Sequence, residues 1–231
     1  MIIYGKQVFL YVLNKHPQLI KEVFLSKDID KKIFSKLKKL NIKITKVDNK
    51  KAQALAKGGN HQGFLAKVED FKLSTLQDIK DKNFIIVLAG ITDMGNIGSI
   101  IRSSYALGVD AVVISLIKDI KLSTIARTSS GALFDMPLVI EKDIGKVLNE
   151  LKQKGFYLYC ANIEGEDVRD VKFAQKKVLV LGNEGEGLSN KVLKKCHKKI
   201  KISMEKEFDS LNVSVACAIL CDRMRNGREF S

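Results

Sequence analysis

Three polar segments in the last two-thirds of the chain gather the residues best able to do chemistry: TDMGNIG at 92–98, LGNEGEGLS at 181–189 and SLNVSVA at 210–216. Their glycines bare backbone amides and carbonyls, their asparagines and serines add short donors and acceptors, and Glu184 and Glu186 add carboxylates. Two phosphate-binding readings fail on this composition. A dinucleotide fingerprint needs G-x-G-x-x-G between strand and helix, and Gly95 with Gly98 supply only G-x-x-G. Residues 182–189 have the spacing of a triphosphate loop, from Gly182 through Gly187 to Ser189, but Leu188 stands where the phosphate-binding lysine is required. Glu184 and Glu186 would also face the anion. An acidic glycine loop suits a neutral or cationic ligand better. Its backbone can pair with an adenine edge while Glu184 offers a carboxylate near a positive centre, and a sulfonium cofactor has both features.

Each segment follows a strand-like run and leads into a helix-like one, the place where α/β folds build their sites. Residues 84–89 (FIIVLA) form a buried-type strand. A helix is expected over 97–107, stopped by Gly108, then a strand over 111–114, a helical stretch over 123–130 and a strand over 138–140. Asp143 can cap a helix that runs to Lys154 and ends at Gly155. Strands follow over 156–161, 177–181 and 199–202, with helices over 189–196 and 212–224. This alternation predicts an α/β fold with a mostly parallel sheet and helices on both faces. Ahead of it, residues 1–72 form a smaller α/β unit: a helix over 5–15 that stops before Pro17, strands over 20–25, 42–47 and 64–68, and helices over 30–40 and 50–56. The polar stretch 73–83 reads as a linker, leaving 84–231 as the second domain.

The net charge of +14 is unevenly placed. Residues 1–72 hold 16 lysines, no arginine and 6 acidic residues, a net of +10, whereas residues 73–231 carry only +4. A lysine-rich first domain attracts a polyanion independently of sequence, and nucleic acid is the expected partner. Lys194, Lys195, Lys198, Lys199 and Lys201 form a second run that suits a solvated face or an RNA contact equally. No run approaches the roughly 20 apolar residues of a membrane span, and no cleavable leader opens the chain, so a cytoplasmic location without membrane partners is expected. Cys160, Cys196, Cys217 and Cys221 lack metal-ligand spacing and read as buried reduced thiols, with no metal. His61 reads as a turn residue, and nothing marks His16 or His197 as ligand or base.

The order and spacing of the three segments resemble the motifs of the SpoU (TrmH) family of RNA ribose 2′-O-methyltransferases, within the knotted SPOUT superfamily. Asn96 and Arg102 match the first motif, with Asp93-Met94 in place of its Asp-Pro start. Gly182, Glu184, Gly185 and Gly187 match the second. Ile202-Ser203-Met204 replaces an Ile-Pro-Met strand end, and Ser210-Leu211-Asn212-Val213-Ser214 matches the third in full. Ser130-Gly131-Ala132 resembles an intervening family segment. Tyr4-Gly5-Lys6-Gln7-Val8 and His61-Gln62-Gly63 resemble the opening and close of a ribosomal-protein-like RNA-binding domain found in the subgroup that methylates a guanosine ribose of 23S rRNA.

The resemblance implies S-adenosyl-L-methionine as cofactor, RNA (23S rRNA above all) as substrate, a C-terminal trefoil knot and a homodimer. It implies catalytic roles for Asn96, Arg102, Glu184, Ser210 and Asn212. Leu181, Gly182, Asn183, Gly185, Ile202, Met204 and Leu211 are implied to hold the cofactor. Plainer readings stand beside these: core packing for Ile202 and Leu211, a turn for Gly182, a helix N-cap for Asn212. A tRNA or resistance-conferring rRNA methyltransferase is the nearest alternative, and an inert RNA-binding ribosome-assembly factor is the non-enzymatic one.

Overall fold

A computed structural model describes residues 1–183, 185–206 and 210–227. In chain order its elements are β1 (Ile2–Tyr4), α1 (Lys6–Lys15), β2 (Ile20–Leu25), α2 (Lys31–Lys39), β3 (Lys43–Lys46), α3 (Asn49–Leu55) and β4 (Phe64–Val68). There follow β5 (Phe84–Ala89), α4 (Met94–Ala106), β6 (Ala111–Ser115), α5 (Leu122–Thr128), β7 (Leu138–Ile140) and α6 (Ile144–Gln153). The last are β8 (Tyr157–Asp167), β9 (Lys177–Gly182), α7 (Asn190–Leu193), β10 (Lys198–Lys201) and α8 (Val213–Asn226). They divide into two compact units.

One unit comprises Met1–Lys72 together with Lys121–Phe134. Its sheet has the order β1-β4-β2-β3, antiparallel except for the β2–β3 pair. The three-residue β1 is too short to announce itself in sequence. Inclusion of α5 departs from the linear boundaries expected above: the Tyr4 hydroxyl lies 3.3 Å from Thr124 Oγ1 and joins β1 to α5. Ser130-Gly131-Ala132 lies in this segment as well, with Gly131 against the Tyr11 side chain.

The other unit carries a six-stranded sheet of order β10-β8-β9-β5-β6-β7, every registered pair parallel. All six residues of β5 are buried, which is why this strand reads as a continuous apolar run rather than an alternation. From β5 the chain winds outward through β6 to β7. It then returns to the other side of β5, where β9 pairs, with β8 and β10 beyond it. The winding direction therefore reverses between β5 and β9, the crevice in which open α/β sheets take ligands. Ile85, Val87, Val113, Val178, Val180 and Leu188 lie in one buried cluster of this unit. Leu188 thus serves the core, consistent with its failure as a phosphate-loop lysine.

Four expectations need correction. Residues 73–83 are not a free linker, since Ser74 pairs with Val139 beside β7 and Ile79 is fully buried. β8 runs on to Asp167 because its register with β10 jumps from Cys160 opposite Lys199 to Glu166 opposite Ile200, so the residues between arch out of the ladder. α7 is only four residues long. Cys160 and Cys196 are joined sulfur to sulfur, with Cα atoms 6.0 Å apart, whereas Cys217 and Cys221 are free and buried. Among the described residues no helix is long and apolar enough to cross a membrane.

Candidate active site

β5 and β9 lie in parallel register with Ala89 opposite Gly182, so the first two polar segments leave adjacent strands at the same end of the sheet. The first is the start of a helix rather than a loop. Asp93 caps α4 by accepting the Asn96 backbone N–H at 2.7 Å. A Cβ on Gly95 would come within 2.9 Å of the same Asp93 oxygen, so glycine at the second helical position makes room for the cap. Met94 takes the first helical position, where the fixed φ of proline is favourable. The Asp93 cap starts α4 there without it, which accounts for a helix beginning three residues before the expected Ile97.

Within α4, Asn96 and Arg102 are six residues apart, which is about 9 Å along the axis and about 120° around it. They leave the helix on different faces, and Arg102 is exposed. Asn96 instead meets the third segment. α8 packs against α4, and Asn212 Nδ2 donates to Asn96 Oδ1 at 3.0 Å across 116 residues of sequence. The Asn212 Oδ1 accepts from the Ser214 N–H at 2.9 Å and from its hydroxyl at 2.6 Å, so Asn212 is also the N-cap of α8. The N-cap reading of Asn212 holds, and the same side chain bridges to Asn96. The far end of α8 is pinned by buried Lys177, whose Nζ donates to the Met224 carbonyl at 2.7 Å.

The second segment closes on itself. The Asn183 side-chain oxygen accepts the N–H groups of Gly185 at 3.1 Å and Glu186 at 2.7 Å, and its carbonyl accepts that of Gly187 at 3.1 Å. Gly182 is where this turn folds back, since a Cβ there would meet the backbone of Gly187 and lie 2.7 Å from Leu188 N. Gly187, at φ +65°, has nothing within 4 Å of its own Cβ position, and Gly185 meets only the Asn183 oxygen at 3.9 Å. Space is therefore open beside Gly185 and Gly187, while their N–H groups are taken up by Asn183. The Asn183 amide in turn faces Gly90 at the end of β5.

Ile202, Ser203 and Met204 follow β10, at the same end of the sheet but two strands from β9, about 10 Å away by strand spacing. Asp167, not foreseen, anchors this loop. Its carboxylate accepts from Arg169 Nε at 3.0 Å, Nη2 at 2.8 Å and the backbone N–H at 2.9 Å. The Arg169 guanidinium, and then Ser203, hold the Asp167 carboxyl well below the usual carboxylate range. The Val168 N–H donates to the Lys201 carbonyl at 2.8 Å and ties the two strand ends together. Ser203 stands where the motif has proline, near enough to Asp167 to act on its carboxyl. The readable signal was the Asp-Val-Arg spacing at 167–169.

The other implied site residues are placed as follows. Leu181 is 2% exposed and pairs with Leu88 of β5 inside the sheet. Ile202 and Leu211 are half-buried, Met204 is 39% exposed and Ser210 is exposed. Glu184 lies outside the described residues. His61 is a buried turn residue that accepts the Gly63 N–H at 3.0 Å, and His197 accepts the Leu158 N–H at 2.8 Å at the start of β8. Among the described residues no group of three or more His, Cys, Asp or Glu is arranged to hold a metal ion.

Comparison with known proteins agrees with this geometry. Residues 83–222 match the SpoU rRNA Methylase family, and residues 2–74 match the domain described as RNA 2'-O ribose methyltransferase substrate binding. The chain is 30% identical over 230 residues to the 23S rRNA (guanosine-2'-O-)-methyltransferase RlmB of Vibrio cholerae, covering 94% of this chain and 93% of that one. It is 33% identical over 206 residues to an uncharacterized tRNA/rRNA methyltransferase of Borreliella burgdorferi, covering 82% and 90%. Its fold is similar to the SpoU methyltransferase AviRb of Streptomyces viridochromogenes, solved with the cofactor AdoMet, at a TM-score of 0.80 and 23% identity over 97% of this chain and 89% of that one. An AdoMet-bound rRNA methyltransferase of Sinorhizobium meliloti gives 0.79 and 21% over 97% and 86%. With its sheet, its three meeting segments and these matches together, the chain belongs to the SpoU rRNA methylase family.

Proposed function

We propose that this protein transfers a methyl group from S-adenosylmethionine to the 2′-hydroxyl of a ribose in 23S rRNA, most specifically that of a guanosine. The observation that carries the reading is the Asn212–Asn96 hydrogen bond, which draws the first and third segments together beside the β5–β9 crevice. The guanosine assignment leans on full-length likeness to RlmB proteins, and the cofactor on AdoMet-bound relatives of the same fold.

The residues present fit that cofactor. The open space beside Gly185 and Gly187 and the tight turn at Gly182 and Asn183 form a cradle without bulk. The Leu181 backbone, the half-buried Ile202 and Leu211 and the exposed Met204 would complete its adenosine site. When bound, the cofactor supplies a methyl group already activated by its sulfonium. The protein's task is to place the ribose hydroxyl in line and to steady charge on its oxygen. Guanidinium groups stay protonated in proteins, so Arg102 acts as a donor: it holds the target's phosphate and stabilises the developing alkoxide. Asn96, Ser210 and Asn212 orient the hydroxyl, with Glu184 completing the set. Residues 1–72 supply sequence-independent attraction to RNA. The same reading includes a trefoil-knotted C-terminal region and a homodimer. Light scattering checks the latter against the 25.8 kDa chain.

The test is tritiated methyl transfer to undermethylated 23S rRNA and to bulk tRNA, with 2′-O-methyl mapping of the product. Incorporation confined to a guanosine of 23S rRNA is expected. Incorporation into tRNA alone moves the assignment to the tRNA enzymes, and absence of cofactor binding by calorimetry leaves the inert RNA-binding factor.

A further inference from the structure

The α2 face of the first unit is charged beyond anything folding requires. Five of the nine residues of α2 are lysines and none is acidic. Lys32 and Lys36 are four apart, and Lys36 and Lys39 three apart, spacings at which like charges repel along a helix. Alongside runs a groove of about 470 Å³, floored by Leu25 and Ile44 and rimmed by Lys27, Lys31 and Lys46. Phe34 lines the groove and is 43% exposed, an aromatic ring left in water amid cations. The Lys38 ammonium sits 5.7 Å from its ring centroid. One carboxylate, Asp28, also lines the groove and lies 3.4 Å from Lys46. Both side chains are largely exposed, and such a surface pair contributes little and leaves the field positive.

Exposed aromatic rings between lysines serve single-stranded nucleic acid: the ring stacks an unpaired base and the ammonium groups follow the phosphates. An acidic peptide would use the lysines but not the ring. We infer that the groove between α2 and β3 binds a single-stranded segment of the substrate RNA, with Phe34 stacking on an unpaired base and Lys31 and Lys46 on the flanking phosphates. This rests on the RNA-methylation reading for its partner and adds the surface that grips it.

The test uses the full chain and a labelled, unstructured RNA oligonucleotide, with anisotropy read across a salt series. Phe34→Ala should weaken binding about tenfold with an unchanged salt slope, and Phe34→Trp should keep wild-type affinity. Lys31→Gln/Lys46→Gln should reduce the slope of log affinity against log salt by about 1.4, the release expected for two single-strand phosphates. Lys50→Gln/Lys51→Gln, on the exposed side of α3, should change it less. All these side chains are exposed, and circular dichroism melting confirms folding. Wild-type affinity in both groove variants overturns the inference, as does tight binding of polyglutamate that ignores Phe34. If the groove variants fail to matter while wild-type methylation of rRNA persists, only the groove is lost. If wild type neither binds nor methylates RNA, the function falls with it.

Discussion

Asn212 offers a way to separate the folding role of a motif residue from its chemical one. Its oxygen caps α8 through Ser214, and its amide nitrogen bridges to Asn96 at 3.0 Å. Asn212→Ala removes both. Loss of an N-cap costs about 1 kcal/mol. The bridge joins two groups that water can reach, so its net worth is at the low end for a hydrogen bond, about 0.5 kcal/mol. The alanine variant should therefore lose about 1.5 kcal/mol, or roughly 3–6 °C in melting temperature for a chain of this size. Asn212→Asp keeps the cap, and its charge suits the helix N-terminus. It turns the bridging donor into an acceptor, which opposes the Asn96 oxygen unless the Asn96 amide turns over. Its stability should stay within about 0.5 kcal/mol of wild type, the gain at the helix end offsetting the lost bridge. Single-turnover methylation should nonetheless fall by about tenfold or more, because a misplaced orienting group costs transition-state stabilisation rather than folding energy. Urea unfolding and tritiated methyl transfer measure the two quantities. An aspartate variant as unstable as the alanine one would refute the capping account. Wild-type methylation in both the aspartate variant and Asn96→Ala, which has no amide to turn over, would refute the role of the bridge.

Three further outcomes follow from the same geometry. Gly182→Ala should reduce S-adenosylmethionine affinity at least about tenfold by calorimetry, since the methyl group must displace backbone at Gly187 and Leu188, and overpacking of this kind costs about 1–3 kcal/mol; unaltered affinity would separate the turn from the cofactor. Folding holds the Asp167 carboxyl below its unfolded range, so the stability it gives is intact above about pH 5 and is lost as pH falls through about 4 and below. Asp167→Asn should flatten that limb of melting temperature against pH, and an unchanged acid limb would show that the Arg169 and Ser203 contacts contribute nothing. Lys177→Met should leave the Met224 carbonyl without its buried donor at a cost of about 1–3 kcal/mol in urea unfolding, and a neutral result would mean that the lysine does not hold α8.

What the sequence revealed depended on how locally each feature is specified. The strands at 20–25, 64–68 and 84–89 were readable because apolar runs flanked by polar turns leave little choice of boundary. Asp143 announced its helix for the same local reason. The start of α4 was misjudged because Gly95, Asn96 and Gly98 are weak helix formers, while the deciding contact is one carboxylate reaching one backbone N–H. Contacts that are distant in sequence left no local trace. The Cys160–Cys196 pair spans 36 residues, the Asn212–Asn96 bond 116, and the addition of α5 to the first unit rests on contacts of similar separation. Motif resemblance proposed the site residues, but only the folded chain shows that Asn96 meets Asn212 while Arg102 leaves another face of α4.

That difference in facing divides the motif residues by the kind of defect each should cause. Asp93, Gly95, Gly182, Asn183 and Ser203 spend their interactions on shaping the loops: a cap, the space for that cap, a tight reversal, a closed turn and an anchored strand end. A change at Gly182, Asn183 or Ser203 moves backbone proposed to hold the cofactor, so the loss should appear first in cofactor KM or Kd. Arg102 and Ser210 have exposed side chains in the unit that carries the six-stranded sheet, outside the hydrogen bonds that close those turns. Replacing either should lower kcat with little change in cofactor affinity. Asn96 and Asn212 are assigned to both groups, because the bond between them joins the start of α8 to α4 and would orient the groups proposed to meet substrate. Steady-state constants for Ser203→Ala, Arg102→Ala and Asn96→Ala should therefore fall into three patterns: raised KM alone, lowered kcat alone, and both together. A lowered kcat without any KM change in Ser203→Ala would break the division at its most exposed point, since that serine acts only through the position of its loop.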